Sequence, residues 1–235
     1  MGFYRLSESC QIERLGEIYE SFFGQATDGT FVEVGAFDGE QMSNTSGLAD
    51  IGWAGLYIEP VTVFAIDCRV RHRDNPRVMV VSCAIGDQPG PATIHVAHAF
   101  STMHEDELAM SKASFRQMFG DSNRGGLEID RVFTGETEIV PVERLDTILT
   151  QYALKPRFEL LVVDVDGHET EVFNSFDLDA WRPRMLIVEL TDDHPDYTAT
   201  HEKIGALRAR IVASGYAPIH RDAWNTIFVD QLDTR

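Results

Sequence analysis

FVEVGAFDG, at residues 31–39, is an apolar strand that runs into two glycines, Gly35 and Gly39, and a helix is predicted to follow. Glycine at such a turn lets the backbone approach a ligand closely and adopt angles that other residues avoid. A glycine loop after a buried strand is typical of nucleotide-binding α/β proteins, although paired glycines also mark ordinary strand exits. The stretch therefore favours a nucleotide-containing ligand.

The ring of Phe37 narrows the choice of ligand. The dinucleotide fingerprint needs a glycine at this position so that a pyrophosphate can rest on the helix N-terminus, and a bulky ring there collides with it. S-adenosylmethionine contains no phosphate and needs no such cradle. The loop therefore favours this cofactor over a nicotinamide dinucleotide.

Short apolar runs recur along the chain with helical stretches between them, which is typical of parallel strands buried on both faces. The last two runs are separated by only six residues, too few for a crossover helix, and should pair antiparallel. We therefore predict an α/β, Rossmann-like fold with a mostly parallel seven-stranded sheet and an antiparallel C-terminal strand, which by analogy resembles the fold of class I methyltransferases. The runs are Thr30–Val34, Gly55–Ile58, Val78–Ser82, Leu160–Val163, Met185–Val188, Gly215–Ile219 and Thr226–Val229.

The length of 235 residues suits one domain, 1–235. Residues 1–29 should hold an N-terminal helix, because apolar residues recur at helical spacing over 7–23. Residues 97–135 interrupt the regular alternation of strands and helices. They are predicted to form a helical lid with a flexible end, since insertions of this length are usually functional. Phe115, Met118 and Phe119 could equally form one face of a core helix. The glycines of this segment are Gly120, Gly125 and Gly126.

The chain carries 20 lysines and arginines against 38 aspartates and glutamates, a formal net charge of -18. This charge repels phosphate backbones, so nucleic acid is not expected as a partner, and a small molecule or a glycan is the expected acceptor. The three cysteines, Cys10, Cys68 and Cys83, fit neither a disulfide framework nor a zinc knuckle, which favours a reducing cytoplasm. No apolar run is long enough to predict a membrane span.

Two further strand ends suggest cofactor contacts. Glu59 ends the second apolar run, about 20 residues after the glycine loop, where an acid accepts hydrogen bonds from ribose hydroxyls. A solvated acid at a strand end is the plainer alternative. Cys83, Ala84 and Ile85 follow the third run, where the wall for an adenine ring is expected.

With these segments in place, the chain resembles the FkbM-type methyltransferase family over most of residues 30–190. The family usually has Asn at Phe37 and Glu at Asp166, so this chain departs from the pattern at two positions. The resemblance implies methyl transfer from S-adenosylmethionine, mostly to hydroxyls of sugars or secondary metabolites. The matching segments are FVEVGAFDG (31–39), SNT (43–45), GWAGLYIEP (52–60), VERLD (142–146) and LLVVDVDGHE (160–169).

The resemblance also implies which residues hold the cofactor. Asn44 and Thr45 should donate to the methionine carboxylate, and Glu59 should hold the ribose. Ser101 should help Cys83, Ala84 and Ile85 to frame the adenine. The residues around the methionine part should be Glu33, Gly35, Asp38 and Asn44, with Asp164 at the next strand end.

Asp164 ends the fourth run, at the sheet edge where open α/β proteins place ligands, and His168 follows. Transfer to a hydroxyl requires proton removal, and His168, with an ordinary pKa near neutrality, is a candidate general base beside Asp164. A surface histidine that begins the next helix is the alternative. Asp164, Glu189, Asp192 and Asp193 could supply oxygen ligands for Mg²⁺, although a very acidic chain also places acids at strand ends by chance.

Three functions therefore remain open at this point. An O-methyltransferase explains the ordered set of Gly35, Glu59 and Asp164. A non-catalytic S-adenosylmethionine-binding module would show the same cofactor motifs. A nicotinamide-dependent oxidoreductase is disfavoured by Phe37 and by the terminal hairpin.

Overall fold

The computed structural model describes residues 2–121 and 128–233, apart from the side chain of Met118. The strands are β1 (Thr30–Val34), β2 (Ala54–Ile58), β3 (Val78–Val81), β4 (Ala84–Ile85), β5 (Gly90–His95), β6 (Thr137–Glu143), β7 (Leu160–Val163), β8 (Met185–Glu189), β9 (Tyr216–Arg221) and β10 (Asn225–Asp230). The helices are α1 (Leu15–Phe23), α2 (Ser46–Asp50), α3 (Thr62–Arg71), α4 (Glu105–Phe119), α5 (Ile129–Val132), α6 (Leu145–Gln151), α7 (Glu169–Asn174), α8 (Leu178–Trp181) and α9 (His201–Ala213).

Seven strands form the main sheet, in the order β3-β2-β1-β7-β8-β10-β9. The first five of these pair in parallel, and β10 runs antiparallel to both β8 and β9. Strands β7 and β10 are buried along their whole length, as expected of strands covered on both faces. The predicted fold class, with its antiparallel C-terminal strand, is confirmed.

Alternate residues of each strand enter two separate cores, because successive side chains of a strand point to opposite faces. Val32 and Val34 of β1 join one core with residues of α6, α7 and α9. Phe31 joins the other core with Trp53 and with residues of α1. The sheet is therefore covered on both sides, and its carboxyl edge is left for a ligand.

The N-terminal helix is shorter than predicted. It begins at Leu15 rather than near residue 7, because Arg14 adopts a left-handed conformation (φ 60°) that a helix cannot continue through. Ile12 is buried all the same, in the turn before the helix. Its apolar side chain fits the helical spacing without belonging to the helix.

A second sheet of three strands, in the order β4-β6-β5, lies outside the predicted pattern. Strand β4 has only two residues, and Pro141 interrupts β6, so neither reads as a strand in the sequence. Strand β4 continues the chain directly after Cys83, so this sheet borders the predicted adenine wall.

The segment predicted as a lid contains a 15-residue helix, α4, followed by the short helix α5. Phe115 is buried in a small core with Ile129, Val132 and Phe133. Gly125, Gly126 and the predicted flexible end lie outside the described residues. Across residues 2–121 and 128–233, no helix combines the length and the apolar character that crossing a membrane requires.

Candidate active site

A cavity of about 420 Å³ opens at the carboxyl edge of the main sheet. Gly35 follows β1, Glu59 follows β2, Asp164 follows β7, and Glu189 ends β8, and all four residues line it. Parallel strands bring their carboxyl ends to one edge, which is why residues far apart in sequence meet here. The volume is in the range of small-molecule and cofactor sites.

Gly35 makes the first wall of the cavity possible. It has φ 87°, and a Cβ atom there would lie 1.6 Å from the carbonyl oxygen of Asp164. Its backbone nitrogen donates to the carbonyl of Ile58 at 3.0 Å. The loop after β1 is thus held tightly between β2 and β7, and a side chain at residue 35 cannot be accommodated.

The carboxylate of Glu59 is buried and is oriented by the backbone. One oxygen accepts a hydrogen bond from the nitrogen of Phe37 at 2.9 Å, and the other accepts from the nitrogen of Val61 at 2.8 Å. Burial raises the pKa of Glu59 to about 8, although these two hydrogen bonds oppose the shift. Each carboxylate oxygen accepts more than one hydrogen bond, so capacity for two hydroxyl donors remains.

Glu33 lines the methionine side predicted for the cofactor, and its carboxylate is supported from behind. It accepts from the hydroxyl of Ser43 at 3.0 Å, from the nitrogen of Asn44 at 3.3 Å and from the hydroxyl of Thr45. Burial raises the pKa of Glu33 to about 7, although these hydrogen bonds oppose the shift. The group is therefore ready to become a carboxylate when a cation enters.

Asn44, Thr45 and Asp38 do not lie among the residues that line the cavity, and their contacts with a cofactor stay a prediction. Thr45 and Asn44 are buried behind Glu33, as described above. Asp38 accepts from the backbone nitrogens of Glu40 and Gln41, at 2.9 and 2.8 Å, and so closes its own turn. Aspartate commonly bonds the backbone two or three residues ahead in such turns.

The residues predicted to frame an adenine ring lie together in the cavity wall. Cys83, Ala84, Ile85 and Ser101 all line it. The Ser101 hydroxyl donates to the carbonyl of His98 at 2.6 Å and accepts from the nitrogen of Ala97 at 3.0 Å, so it shapes the loop that carries it.

Phe37 contributes to this wall despite its departure from the family pattern. Its backbone has φ 48°, an uncommon value for a non-glycine residue, and its ring lies 4.5 Å from the ring of Phe64. The ring of His98 is 6.1 Å away. The three rings make an aromatic surface beside the glycine loop.

Asp164 and Glu189 form a carboxyl pair on the floor of the cavity and are hydrogen-bonded to each other. Burial raises the pKa of Asp164 to about 6, and the bond with Glu189 opposes the shift. Burial, followed by the charge of Asp164, raises the pKa of Glu189 as well. Two carboxyl groups this close hold a proton between them near neutral pH.

Of the four predicted magnesium ligands, Asp164 and Glu189 line the cavity, whereas Asp192 and Asp193 do not. Asp192 is held by Arg208, whose Nε lies 2.8 Å from the carboxylate, and by Arg221 at 3.2 Å. Asp193 pairs with Arg221 at 2.9 Å. Both carboxylates are paired with arginines that the sequence pattern did not connect to them, and their part in a magnesium site stays an untested prediction.

His168 lines the cavity, but its ring is not the near-neutral base that the sequence suggested. Its Nδ1 lies 2.9 Å from Nε2 of His104, and its side chain is 15% exposed. Burial lowers the pKa of His168 to about 4, although the charge of Glu171 opposes the shift. His168 also stands just before α7, where the alternative interpretation placed it, but it is largely buried and not a surface residue.

Other parts of the wall, apart from Phe119 of the predicted lid, had no sequence signal. Ser111, Ser114 and Phe119 come from α4, Tyr197 from the loop after β8, and Trp224 from the turn between β9 and β10. The Ser111 hydroxyl is buried without a hydrogen-bond partner among the described residues. Isolated serines and aromatic residues at these positions form no motif, so only the fold brings them together.

The charge of the cavity is one-sided. Its lining, as far as the structure describes it, contains Glu33, Glu59, Asp164, Asp166 and Glu189 but neither lysine nor arginine. Buried carboxyl groups without a cation have raised pKa values, as seen above. Such a cavity favours a ligand that carries positive charge.

The family model described as the Methyltransferase FkbM domain matches residues 33–217 of this chain. No curated protein sequence matches this chain significantly.

Solved structures with a similar fold include WbdD bound to a kinase inhibitor, with 13% identity, a TM-score of 0.48, and coverage of 93% of this chain and 40% of WbdD. An O-methyltransferase from Bacillus cereus in complex with SAH has 12% identity and a TM-score of 0.48, with coverage of 96% and 84%. Aeropyrum pernix fibrillarin with natively bound S-adenosyl-L-methionine has 11% identity and a TM-score of 0.42, with coverage of 86% and 68%. This chain thus spans 40% of the WbdD chain that it matches.

Proposed function

Since the chain belongs to the FkbM methyltransferase family, we propose that it transfers the methyl group of S-adenosylmethionine to a hydroxyl oxygen of a sugar or secondary metabolite. The observation that carries this proposal is the cavity at the sheet edge, whose described lining holds five carboxyl groups, Glu33, Glu59, Asp164, Asp166 and Glu189, and no lysine or arginine. S-adenosylmethionine brings a sulfonium and an ammonium group, which complement these acids.

The residues of the cavity fit the three parts of the donor. Glu59 is proposed to accept hydrogen bonds from the ribose hydroxyls, as its free lone pairs allow. Glu33 is proposed to face the ammonium group, and Asp164 the sulfonium side. Cys83, Ala84, Ile85 and Ser101 are proposed to frame the adenine, with the ring of Phe37 as a further contact.

When bound, the donor supplies an already activated methyl group, so the chain has to align the acceptor hydroxyl and remove its proton. We propose that the Asp164–Glu189 pair accepts the proton of the acceptor hydroxyl. Asp164, with a pKa of about 6, is a stronger base than His168, with a pKa of about 4. The sequence named both Asp164 and His168, and the experiment below separates them. Magnesium ligation by Asp192 and Asp193 is not carried into this proposal, because arginines hold both residues.

We also propose that residues 97–135 form a lid over the acceptor side. The reason is that Ser111, Ser114 and Phe119, all from α4, reach the cavity wall. Trp224 and Tyr197 would then face an acceptor from the side opposite the lid.

Helix α1 packs against the main sheet, at whose edge the cavity opens. This packing supports the proposal that residues 1–235 form one methyltransferase domain.

Two experiments in sequence test the function. Calorimetric titration with S-adenosylhomocysteine is expected to show one site, and absence of binding would refute the proposal. Isotope-labelled S-adenosylmethionine is then offered with a panel of free sugars, glycosides and hydroxylated metabolites, and the labelled product is treated with alkali. A methyl ether withstands the treatment, whereas a methyl ester is hydrolysed.

Asp164→Asn is expected to abolish methyl transfer while the variant still binds S-adenosylhomocysteine. His168→Ala should retain most of the methyl transfer activity. Asp74→Asn is the matched control, since Asp74 is exposed and distant from the cavity. Cofactor binding without transfer to any acceptor, in wild type and variants alike, would instead support a non-catalytic binding module.

A further inference from the structure

His104, His168 and Glu171 place three metal-binding atoms close together beside the cavity. Nε2 of His104 is 2.9 Å from Nδ1 of His168, and that Nδ1 is 3.7 Å from a carboxylate oxygen of Glu171. All three ligand atoms lie within 4.8 Å of one another, and no other such group of three occurs within residues 2–121 and 128–233. In a tetrahedral zinc site with bonds of about 2.0 to 2.1 Å, neighbouring ligands are about 3.3 Å apart.

The geometry points to a binding site for a divalent transition-metal ion of the Zn²⁺ class, formed by His104, His168 and Glu171. Two imidazoles and one carboxylate suit zinc and its neighbours rather than Mg²⁺, which prefers oxygen ligands. This site is separate from the four-acid magnesium site considered above, and its existence does not depend on methyl transfer. A movement of a few tenths of an ångström between the two rings would reach the spacing that zinc requires.

The hydrogen bond between the two rings has to be exchanged for the ion. Nε2 of His104 and Nδ1 of His168 lie 2.9 Å apart, so one of these nitrogens carries the proton of that bond. An ion that binds both nitrogens replaces this proton.

The backbone holds the ligands in place without the ion. His168 and Glu171 are three residues apart at the start of α7, and therefore share one face. The loop before them is fixed by Glu169, which accepts hydrogen bonds from the nitrogens of Val165 and Gly167 at 3.2 Å. On the other side, the hydroxyl of Thr102 donates to the carbonyl of Asp166 at 2.7 Å, next to the start of α4. A preorganised ligand set of this kind reduces the cost of binding.

Lys203 opposes the ion and thereby provides a test. Its ammonium lies 2.9 Å from one oxygen of Glu171 and 3.0 Å from the other, and it also donates to the carbonyl of Gly167. A bound ion would share the Glu171 carboxylate with this positive charge. Removal of the lysine charge should therefore increase affinity, whereas removal of a ligand should decrease it.

Metal binding would have two consequences in the molecule. An ion on Nδ1 of His168 leaves the proton on Nε2, so that ring could not accept a proton from an acceptor. The ion would also connect His104, at the start of α4, to the start of α7. It would therefore fix one end of the proposed lid.

The test is calorimetric titration of the EDTA-treated full chain with ZnCl₂ alone, at pH 7 and without cofactor. We expect one ion per chain, with His104→Gln and His168→Ala each weakening binding by more than about tenfold. Lys203→Met should tighten binding, and His220→Ala and Cys10→Ser, which remove potential ligands elsewhere, should leave it unchanged. Cobalt(II) in place of zinc should give the visible absorption of a tetrahedral site, and MgCl₂ should give no heat.

The outcomes separate cleanly. Absence of a zinc site in the folded wild type, or affinity that His104→Gln and His168→Ala leave unchanged, would overturn the proposal. Weaker binding in Lys203→Met would also overturn it, because a ligand-bound Glu171 gains from loss of that charge. Titration with S-adenosylhomocysteine is read separately, so that failure of the metal site and failure of the methyltransferase proposal are distinguished.

Discussion

Glu59 is the residue on which cofactor affinity should depend most directly. Its two oxygens are aimed by the nitrogens of Phe37 and Val61, so the side chain cannot turn away from the cavity. Replacement by glutamine keeps the shape but replaces one acceptor oxygen with a donor. Hydrogen bonds to a charged group are worth about 1.5 to 3 kcal/mol, so Glu59→Gln should weaken S-adenosylhomocysteine binding about tenfold to a hundredfold.

Calorimetry checks this, with Glu136→Gln as the control because Glu136 is exposed, undergoes the same chemical change and does not line the cavity. Equal affinity of Glu59→Gln and wild type would show that ribose recognition lies elsewhere.

At this scale the sequence indicates the acids that follow strands, whereas it does not show how side chains in a loop are oriented. Glu59 and Asp164 are placed by the ends of β2 and β7, which periodicity reveals. Asn44 and Thr45 stand in a loop whose path turns them toward Glu33 and away from the cavity. No local pattern records that turn, because it depends on packing between distant segments.

Among the elements, the loop between β1 and α2 depends on Gly35. A Cβ atom there would meet the carbonyl oxygen of Asp164 at 1.6 Å, whereas at Gly24 it would meet nothing within 4 Å. Both glycines have positive φ, so alanine at either position costs about 1 to 3 kcal/mol in backbone strain. Gly35→Ala should lose a further 1 to 3 kcal/mol, roughly the cost of overpacking, and should also lose cofactor binding.

Urea unfolding measures the difference in the free energy of unfolding between the two variants. The strain of alanine at positive φ is common to both variants and largely cancels in this comparison. If Gly24→Ala proved as destabilising as Gly35→Ala, close approach to β7 would not be the reason for the glycine.

Helix α4 should respond to the cofactor. Its residues Ser111, Ser114 and Phe119 reach the cavity, while Phe115 anchors it in a separate small core. We expect amide exchange over residues 105–119 to slow when S-adenosylhomocysteine binds, since a filled cavity supports the helix from below. Mass-spectrometric hydrogen exchange measures this, with α9 as the control because none of its residues lines the cavity. Equal protection of α4 in both states would leave the helix as plain core.

The elements differ in how much of them periodicity could reveal. Each main-sheet strand is an apolar run, so β1, β2, β3, β7 and β8 are predictable, and the short connection between β9 and β10 gives their antiparallel pairing. The sheet formed by β4, β5 and β6 is not predictable in this way, because its strands are short, partly exposed or interrupted by proline. Its pairing is stabilised by contacts between residues about 50 apart.

For the whole molecule, the net charge of -18 and the acidic cavity act in the same direction. The negative charge of the surface and of the cavity both attract a cation and repel phosphate. Among the residues that the structure describes in the cavity wall there is no lysine or arginine, and burial raises the pKa of Glu33 to about 7, of Glu59 to about 8 and of Asp164 to about 6. At neutral pH these groups therefore retain part of their protons in the ligand-free protein.

Binding of S-adenosylmethionine should release those protons. A positive sulfonium near the acids favours their charged form and lowers their pKa values, and a group with a pKa close to the working pH then loses its proton. S-adenosylhomocysteine has the same ammonium but lacks the methyl group and the sulfonium charge, so it should release fewer protons. Calorimetric titrations at pH 7 in two buffers of different ionisation enthalpy give the number of protons released for each ligand.

At pH 9, above the pKa values of Glu33, Glu59 and Asp164, the difference in proton release between the two ligands should shrink, because these acids are then already charged. Equal proton release by both ligands at pH 7 would mean that the sulfonium lies away from these acids, and that the one-sided charge of the cavity serves the acceptor instead.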